Sequence, residues 1–338
     1  MGELRKDYFR ERYVIVSPER AKRPHELVRP VTPVTKPTPF APGNESMLPP
    51  ILAQYSSRST VAEPTTATPR APMTSPAPPD STWEFRVVQN RFPIVKPEGN
   101  QRVPTTANSL FTWADAYGEH EIIIEGRSDF IPFAHLGIAG IAEAFRIGIE
   151  RVRVLAARES INAVAYFKNE GLEAGASIAH PHSQLIATAL VPPTLTHLAA
   201  LHLGLRNDFG FSPLYKILDT ERGGPRMIRE SPHFALLCPY ASRYPMEVLI
   251  IPLRDASTYL DLTDTERIDL ATHVHSVLDK LWTINAPYNI EWIHAPHTAL
   301  HWYISITPRL SIWAGYEIET NIIVNPIPPE HAATFYRS

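Results

Sequence analysis

Apolar and polar residues alternate through "WEFRVVQNRFPIV" (83–95) and stop at a proline turn, a period of two that predicts a half-buried strand. A four-element unit follows. The block "EHEIIIE" (119–125) reads as a strand. Ile138, Ile141, Phe145, Ile149 and Val152 then recur with helical period along one face, and "INAVAYFKN" (161–169) and "HPHSQLIATAL" (180–190) read as two more strands. The same order returns further along. "MEVLIIPL" (246–253) precedes a helix opened by the capping box Thr263-Asp264-Thr265-Glu266, with Ile268, Ala271, Val274, Leu278 and Leu281 on one face. "YNIEWIHA" (288–295) and "LHWYISITP" (300–308) supply the last pair of strands. Two units of strand, helix, strand, strand and of similar length imply an internal duplication. The expected fold class is α+β, a mostly antiparallel sheet covered by flanking helices.

Before the first unit the pattern disappears. Residues 27–80 are dense in Pro, Thr, Ser and Ala, a composition with too little apolar surface to stay compact, and read as extended chain. The organisation expected is an N-terminal arm (1–26), this extended segment (27–80), a first half with the "HPHSQ" motif (81–195) and a second half (196–338).

Composition narrows the function classes. At 338 residues the chain is long enough for a large core, and a net charge of −3, with acids and bases intermixed, offers no wide cationic surface for a nucleic-acid backbone. The single cysteine, Cys238, excludes an internal disulfide and a zinc centre built from paired thiolates, which fits a reducing cytoplasm. No apolar run approaches the roughly 20 residues of a membrane span. The first residues lack an apolar signal segment, and Lys6 stands where a myristoylation signal has Ser or Thr. A cytoplasmic protein without membrane or nucleic-acid partners is expected.

The candidate chemistry lies in "AGASIAHPHSQ" (174–184). Residues two apart on a strand share a face, so His180, His182 and Gln184 would line one side, with Pro181 and Ser183 pointing away. Proline gives no ladder hydrogen bond and belongs at an edge or a strand start, at a sheet rim. Upstream, "NEGLEAGAS" (169–177) has two glycines and small residues that let backbone N–H groups approach an anion. An imidazole of ordinary pKa, about 6.5, is mostly neutral at pH 7 and attacks phosphorus without a partner base. A backbone carbonyl on its other nitrogen would fix the tautomer, and Gln184 would donate to a non-bridging oxygen, a contribution of ~3 kcal/mol in the transition state. A single strand histidine is more often part of a hydrogen-bond network than a nucleophile. The combination of Asn169, Gly175, Ser177, His180, His182 and Gln184 favours the phosphate-handling reading. His294, His297 and His301 are spaced as on a helix face, but "YISIT" and Pro296 argue for strand and loop and against a metal centre.

On these residues the sequence resembles the galactose-1-phosphate uridylyltransferase family of the histidine-triad superfamily, including its bacterial and plant ADP-glucose-phosphorylase-like branch. The likeness runs nearly end to end: "LRKDYFRERYVIVSPERAKRP", "PGNESMLPP", "WEFRVVQNRFP", "NEGLEAGASIAHPHSQ" and "HWYISITPRLSIWAGYEIETNIIVNPIPPEHAA" are each similar to family segments. The resemblance implies duplicated histidine-triad-like halves on a half-barrel sheet. It also implies a ping-pong transferase, in which a nucleotide sugar gives its nucleoside monophosphate, UMP in the leading reading, to His182 and a sugar 1-phosphate collects it. By the same resemblance Asn169, Ser177 and Gln184 would hold the phosphates, Ser177 and Gln184 being catalytic together with His182, Asn90 and Phe92 would lie at the nucleoside, and Arg91, Gly175, Ala176 and His180 would be further substrate-binding residues. Tyr316 and Glu317 would reach the sugar, and Arg20 and Arg23 would serve the neighbouring subunit of a homodimer.

The departures from the family pattern are equally specific. The usual zinc ligands are replaced by Thr38, Ala41 and Asp129, leaving His180 of that set, so neither a zinc there nor any other cofactor is expected. Tyr303 stands where relatives often have histidine, and Glu319 and Asn321 where glycines are usual, all bearing on the acceptor. Two alternatives are therefore carried: a nucleotide-sugar or dinucleotide phosphorylase that uses inorganic phosphate, and a non-catalytic nucleotide-binding homologue.

Overall fold

The computed structural model describes residues 2–10, 12–22, 38–56, 83–99, 114–128, 131–295 and 298–338. Arg23, Asp129, His297 and most of the 27–80 segment lie outside them. The chain divides into two compact units, residues 33–168 with 177–192, and residues 1–32 with 169–176 and 193–338. In chain order the strands are β1 (Glu3–Lys6), β2 (Tyr13–Val16), β3 (Ile51–Ser56), β4 (Trp83–Gln89), β5 (Gly118–Glu125), β6 (Ala163–Glu170), β7 (His182–Thr188), β8 (Met227–Glu230), β9 (Phe234–Leu237), β10 (Val248–Pro252), β11 (Tyr288–Ile293), β12 (Tyr303–Pro308) and β13 (Ile323–Asn325). The α-helices are α1 (Gly137–Ala156), α2 (Pro193–Phe209), α3 (Pro213–Glu221), α4 (Asp264–Thr283), α5 (Gly315–Thr320) and α6 (Pro329–Arg337).

In the unit that holds "HPHSQ", the strands follow the order β3-β4-β5-β7-β6, every neighbouring pair antiparallel. Ile124 lies opposite His182 and Ile122 opposite Gln184, which fixes the face on which the motif's side chains emerge. Helix α1 packs through Ile141, Ala144, Phe145, Ile149 and Val152. Gly148 permits the close approach, since a Cβ there would meet the Tyr166 ring at 2.4 Å. Ile138, expected on the buried face, is 37% exposed in the first turn of the helix, where the preceding turn Phe133–Leu136 buries Phe133 and Ala134. Two strand boundaries also differ from expectation. β4 ends at Gln89 rather than near Val95, since the Asn90 side chain accepts the Phe92 N–H at 2.8 Å and turns the chain. β7 begins at His182, so His180 and Pro181 precede the strand, with Glu125 N–H donating to the Pro181 carbonyl at 3.0 Å.

The other unit repeats the plan. Its larger sheet runs β8-β9-β10-β12-β11, again antiparallel, while β1, β2 and β13 form a small sheet of mixed direction. The capping box of α4 forms as read: Thr263 Oγ1 accepts from Glu266 N–H at 3.2 Å, and Glu266 accepts from Thr263 N–H at 2.8 Å. Leu270, Ala271, Val274, Val277, Leu278 and Leu281 are buried, whereas Ile268 is 53% exposed and lies off that face. β5-β7-β6 with α1 and β10-β12-β11 with α4 share strand order, direction and a helix of 20 residues. The fold is thus the expected α+β duplication. The halves differ in chemistry: His301-Trp302-Tyr303 opens β12 much as His180-Pro181-His182 opens β7. Tyr303 is buried, and its hydroxyl accepts from Arg10 at 2.7 Å.

Candidate active site

The start of β7 is strapped from several directions. His182 Nδ1 lies 2.8 Å from the His180 carbonyl, so that nitrogen carries the proton and donates. Lys168 donates to the His182 carbonyl at 3.1 Å and to Glu125 at 2.6 Å. Ser183 Oγ donates to the other Glu125 oxygen at 2.5 Å. Glu125, Lys168 and Ser183 are all buried, on the sheet face away from the His182 ring. A buried Lys–Glu pair contributes little net stability but penalises loss of either partner heavily, so it holds three neighbouring strands in one register.

With Nδ1 occupied, the lone pair of His182 is on Nε2, which has no hydrogen-bond partner among the described residues. The ring keeps 5% of its surface exposed. Burial, and after it the Lys168 charge, push its pKa down to about 4, leaving it neutral at physiological pH. Phe40 packs edge-on against both histidines, at 5.4 Å from the His182 ring and 5.9 Å from that of His180.

Gln184 shares the face of His182, two residues along β7. Its Oε1 lies 2.9 Å from Nε2 of His120 on β5, a residue that the motif reading left out. Asn90 Nδ2 is 3.1 Å from the same nitrogen, and Ile94 N–H reaches His120 Nδ1 at 3.4 Å. Period two alone would have placed His120 on this face, diagonal to Gln184 across the β5–β7 pair. His120 and Asn90 also line an open cavity of ≈ 820 Å³, with Met47, Leu48, Arg91 and Lys96 among its walls. The "PGNE" turn below it is held by Arg86, which donates to Glu45 and Gln54 at 2.9 Å each.

The remaining expected residues fall in various places. Ser177 is exposed before the motif, Arg91 is exposed, and Phe92 is 81% exposed. In the other unit, Gly175 takes a left-handed conformation (φ 90) that favours glycine, and Asn289 donates to Asn169 Oδ1 at 2.8 Å. Ala176 is buried, and Arg20 is half-buried on the turn Pro18–Lys22. Tyr316 is 48% exposed on α5, whereas Glu317 is buried and accepts from the Ala314 N–H at 3.0 Å, capping that helix.

The zinc that the family resemblance implies does not fit these residues. Thr38 Oγ1 accepts the Phe40 N–H at 3.3 Å and Ala41 has no donor atom, so of these positions only His180, whose Nε2 lies 2.9 Å from the Gly126 carbonyl, keeps a ring nitrogen a metal could use, and one such ligand does not make a tetrahedral zinc site. Among the described residues no three His, Cys, Asp or Glu side chains are grouped to hold a metal ion. His301, one of the histidines with helix-like spacing, instead meets Ser212 Oγ at 2.9 Å through Nδ1.

The model of the galactose-1-phosphate uridyl transferase N-terminal domain matches residues 3–192. The chain is 31% identical to an ADP-glucose phosphorylase from Arabidopsis thaliana, over 99% of this chain and 92% of that protein. It is 25% identical to a galactose-1-phosphate uridylyltransferase from Thermotoga maritima, over 74% and 83% respectively. A crystal structure of an ADP-glucose phosphorylase from Arabidopsis thaliana with bound ADP-glucose superposes with a TM-score of 0.79 at 28% identity, covering 100% of this chain and 98% of that one. This chain belongs to the galactose-1-phosphate uridylyltransferase family.

Proposed function

We propose that this protein transfers a nucleoside monophosphate from a nucleotide sugar through a covalent intermediate on His182. The observation that carries the reading is the His182 ring itself, anchored by Nδ1–H on a carbonyl at 2.8 Å and neutral by burial, with Nε2 left to act. The Nε2 lone pair attacks the α-phosphorus; the P–N bond forms and the P–O bond to the β-phosphate breaks. The sugar 1-phosphate leaves with that bonding pair, needing no strong general acid because it departs as a stable anion. The positive charge that develops on the ring is shared through Nδ1–H with the His180 carbonyl. In the second half-reaction an acceptor oxygen attacks the same phosphorus, the P–N bond breaks, and its electron pair returns to Nε2. Gln184 supports the phosphoryl oxygens, and the cavity lined by Asn90 and His120 takes the nucleoside.

The acceptor divides the reading in two, a sugar 1-phosphate with UMP transfer or inorganic phosphate with release of a nucleoside diphosphate. Similarity to an ADP-glucose phosphorylase along 99% of the chain favours phosphate and an adenine donor. Intact-mass spectrometry at neutral pH after incubation with UDP-glucose, ADP-glucose and a GDP-sugar, each alone, identifies the donor by the added mass. Phosphate or hexose 1-phosphate supplied to the isolated adduct then identifies the acceptor. Absence of an adduct with every donor would favour a non-catalytic nucleotide-binding protein.

A further inference from the structure

We propose that His120 is a positioning residue that holds the carbonyl end of Gln184 and thereby turns its amide N–H groups toward the phosphoryl oxygens. This rests on the nucleotidyl-His182 reading. Ile94 N–H can only donate, so the His120 Nδ1 it reaches at 3.4 Å carries the lone pair, and the proton sits on Nε2. Nε2–H then donates to Gln184 Oε1 at 2.9 Å. The opposite tautomer would set Nδ1–H against the Ile94 N–H and the Nε2 lone pair against a carbonyl oxygen, leaving one favourable contact, with Asn90 Nδ2 at 3.1 Å, for two repulsive ones.

In the Nε2–H form Asn90 is held by its other end, Oδ1 accepting the Phe92 N–H at 2.8 Å, so its amide protons are available to the cavity. The imidazole therefore orients the Gln184 carboxamide, while the Phe92 N–H orients that of Asn90, whose Nδ2, 3.1 Å from Nε2, is the one donor–donor contact of this form. A carboxamide presented the other way round would set an oxygen against a phosphoryl oxygen and repel it. Burial disfavours the charged ring and lowers its pKa, which keeps Nδ1 unprotonated against Ile94 N–H.

Two measurements test this. Long-range proton–nitrogen spectroscopy on protein labelled with 15N-histidine reads the His120 tautomer without any substrate: a proton on Nε2 is expected, and a proton on Nδ1 overturns the proposal. In single-turnover kinetics His120→Leu should slow adduct formation about 100-fold, the scale of one lost preorganised donor. His120→Gln, whose terminal amide can replace Nε2–H, should recover most of that rate. The double variant His120→Leu/Gln184→Ala should be no slower than Gln184→Ala alone. Independent, multiplying losses at matched thermal stability, or an unchanged rate in His120→Leu, would overturn the proposal. Wild-type protein that labels with no donor would refute the nucleotidyl-transfer reading, while the tautomer still decides the orientation of Gln184.

Discussion

At the scale of single residues, the site depends on a neutral ring beside a buried ion pair. His182 titrates near pH 4 in the folded protein and near 6.5 when unfolded, so between these values the unfolded chain binds more protons. Stability from this group is complete above pH about 6.5 and is lost as the pH falls toward 4. His202, His273 and His301 are lowered to the same value, chiefly by burial, and act in the same window. Urea unfolding at pH 5 should show a stability lower than at pH 7.5 by ~2 kcal/mol or more; equal values would mean that these rings are solvated. The ion pair behind His182 gives a second expectation. Lys168→Met leaves Glu125 buried without its cation and should cost about 3 to 5 kcal/mol in denaturant unfolding. Adding Glu125→Gln should recover part of that loss, since a buried charge is then removed. The residue scale was partly legible: the His-Pro-His-x-Gln spacing pointed to His182 and Gln184, whereas Lys168, Glu125, Phe40 and His120 looked like ordinary strand and loop residues. Their roles come from cross-strand register and long-range packing, which spacing along the chain does not encode.

At the scale of elements, what the sequence revealed depended on how local the cause was. The α4 capping box is a contact between residues three apart, and it forms where read. Thr263→Ala removes the side-chain acceptor and should destabilise the protein by ~1 kcal/mol, checked by thermal or urea unfolding; no change would mean that the Glu266 arm carries the cap alone. The ends of β4 and β7 were less legible, because an Asn90 side-chain turn and a carbonyl bond from Pro181 end or start the ladder there. Ile268 fitted the helical period but sits off the buried stripe, and Ile138, in the first turn of α1, is 37% exposed. Helix α2 buries Leu198 and His202 and packs Leu195 and Ala199 partly buried beside them, a stripe of about one turn that is too short to stand out.

At the scale of the whole molecule, the duplication was legible because both halves keep the same order of strand and helix signals, and the structure repeats the strand order as well as the chain order. Their divergence is equally physical. Where one half has a neutral imidazole with an open nitrogen, the other has Tyr303, whose phenol burial pushes up in pKa and whose hydroxyl is engaged by Arg10. In the proposed reaction that leaves one nucleophile for two halves. The base and the acceptor were not legible, since both depend on cavity shape rather than on motif spacing. The central claim is a phosphorus–nitrogen bond on one ring. Intact-mass spectrometry of the wild type and of His182→Asn at neutral pH with the nucleotide-sugar donors reads it directly. The account predicts a gain of one nucleoside monophosphate in the wild type and none in the variant; an adduct that persists in His182→Asn would contradict it.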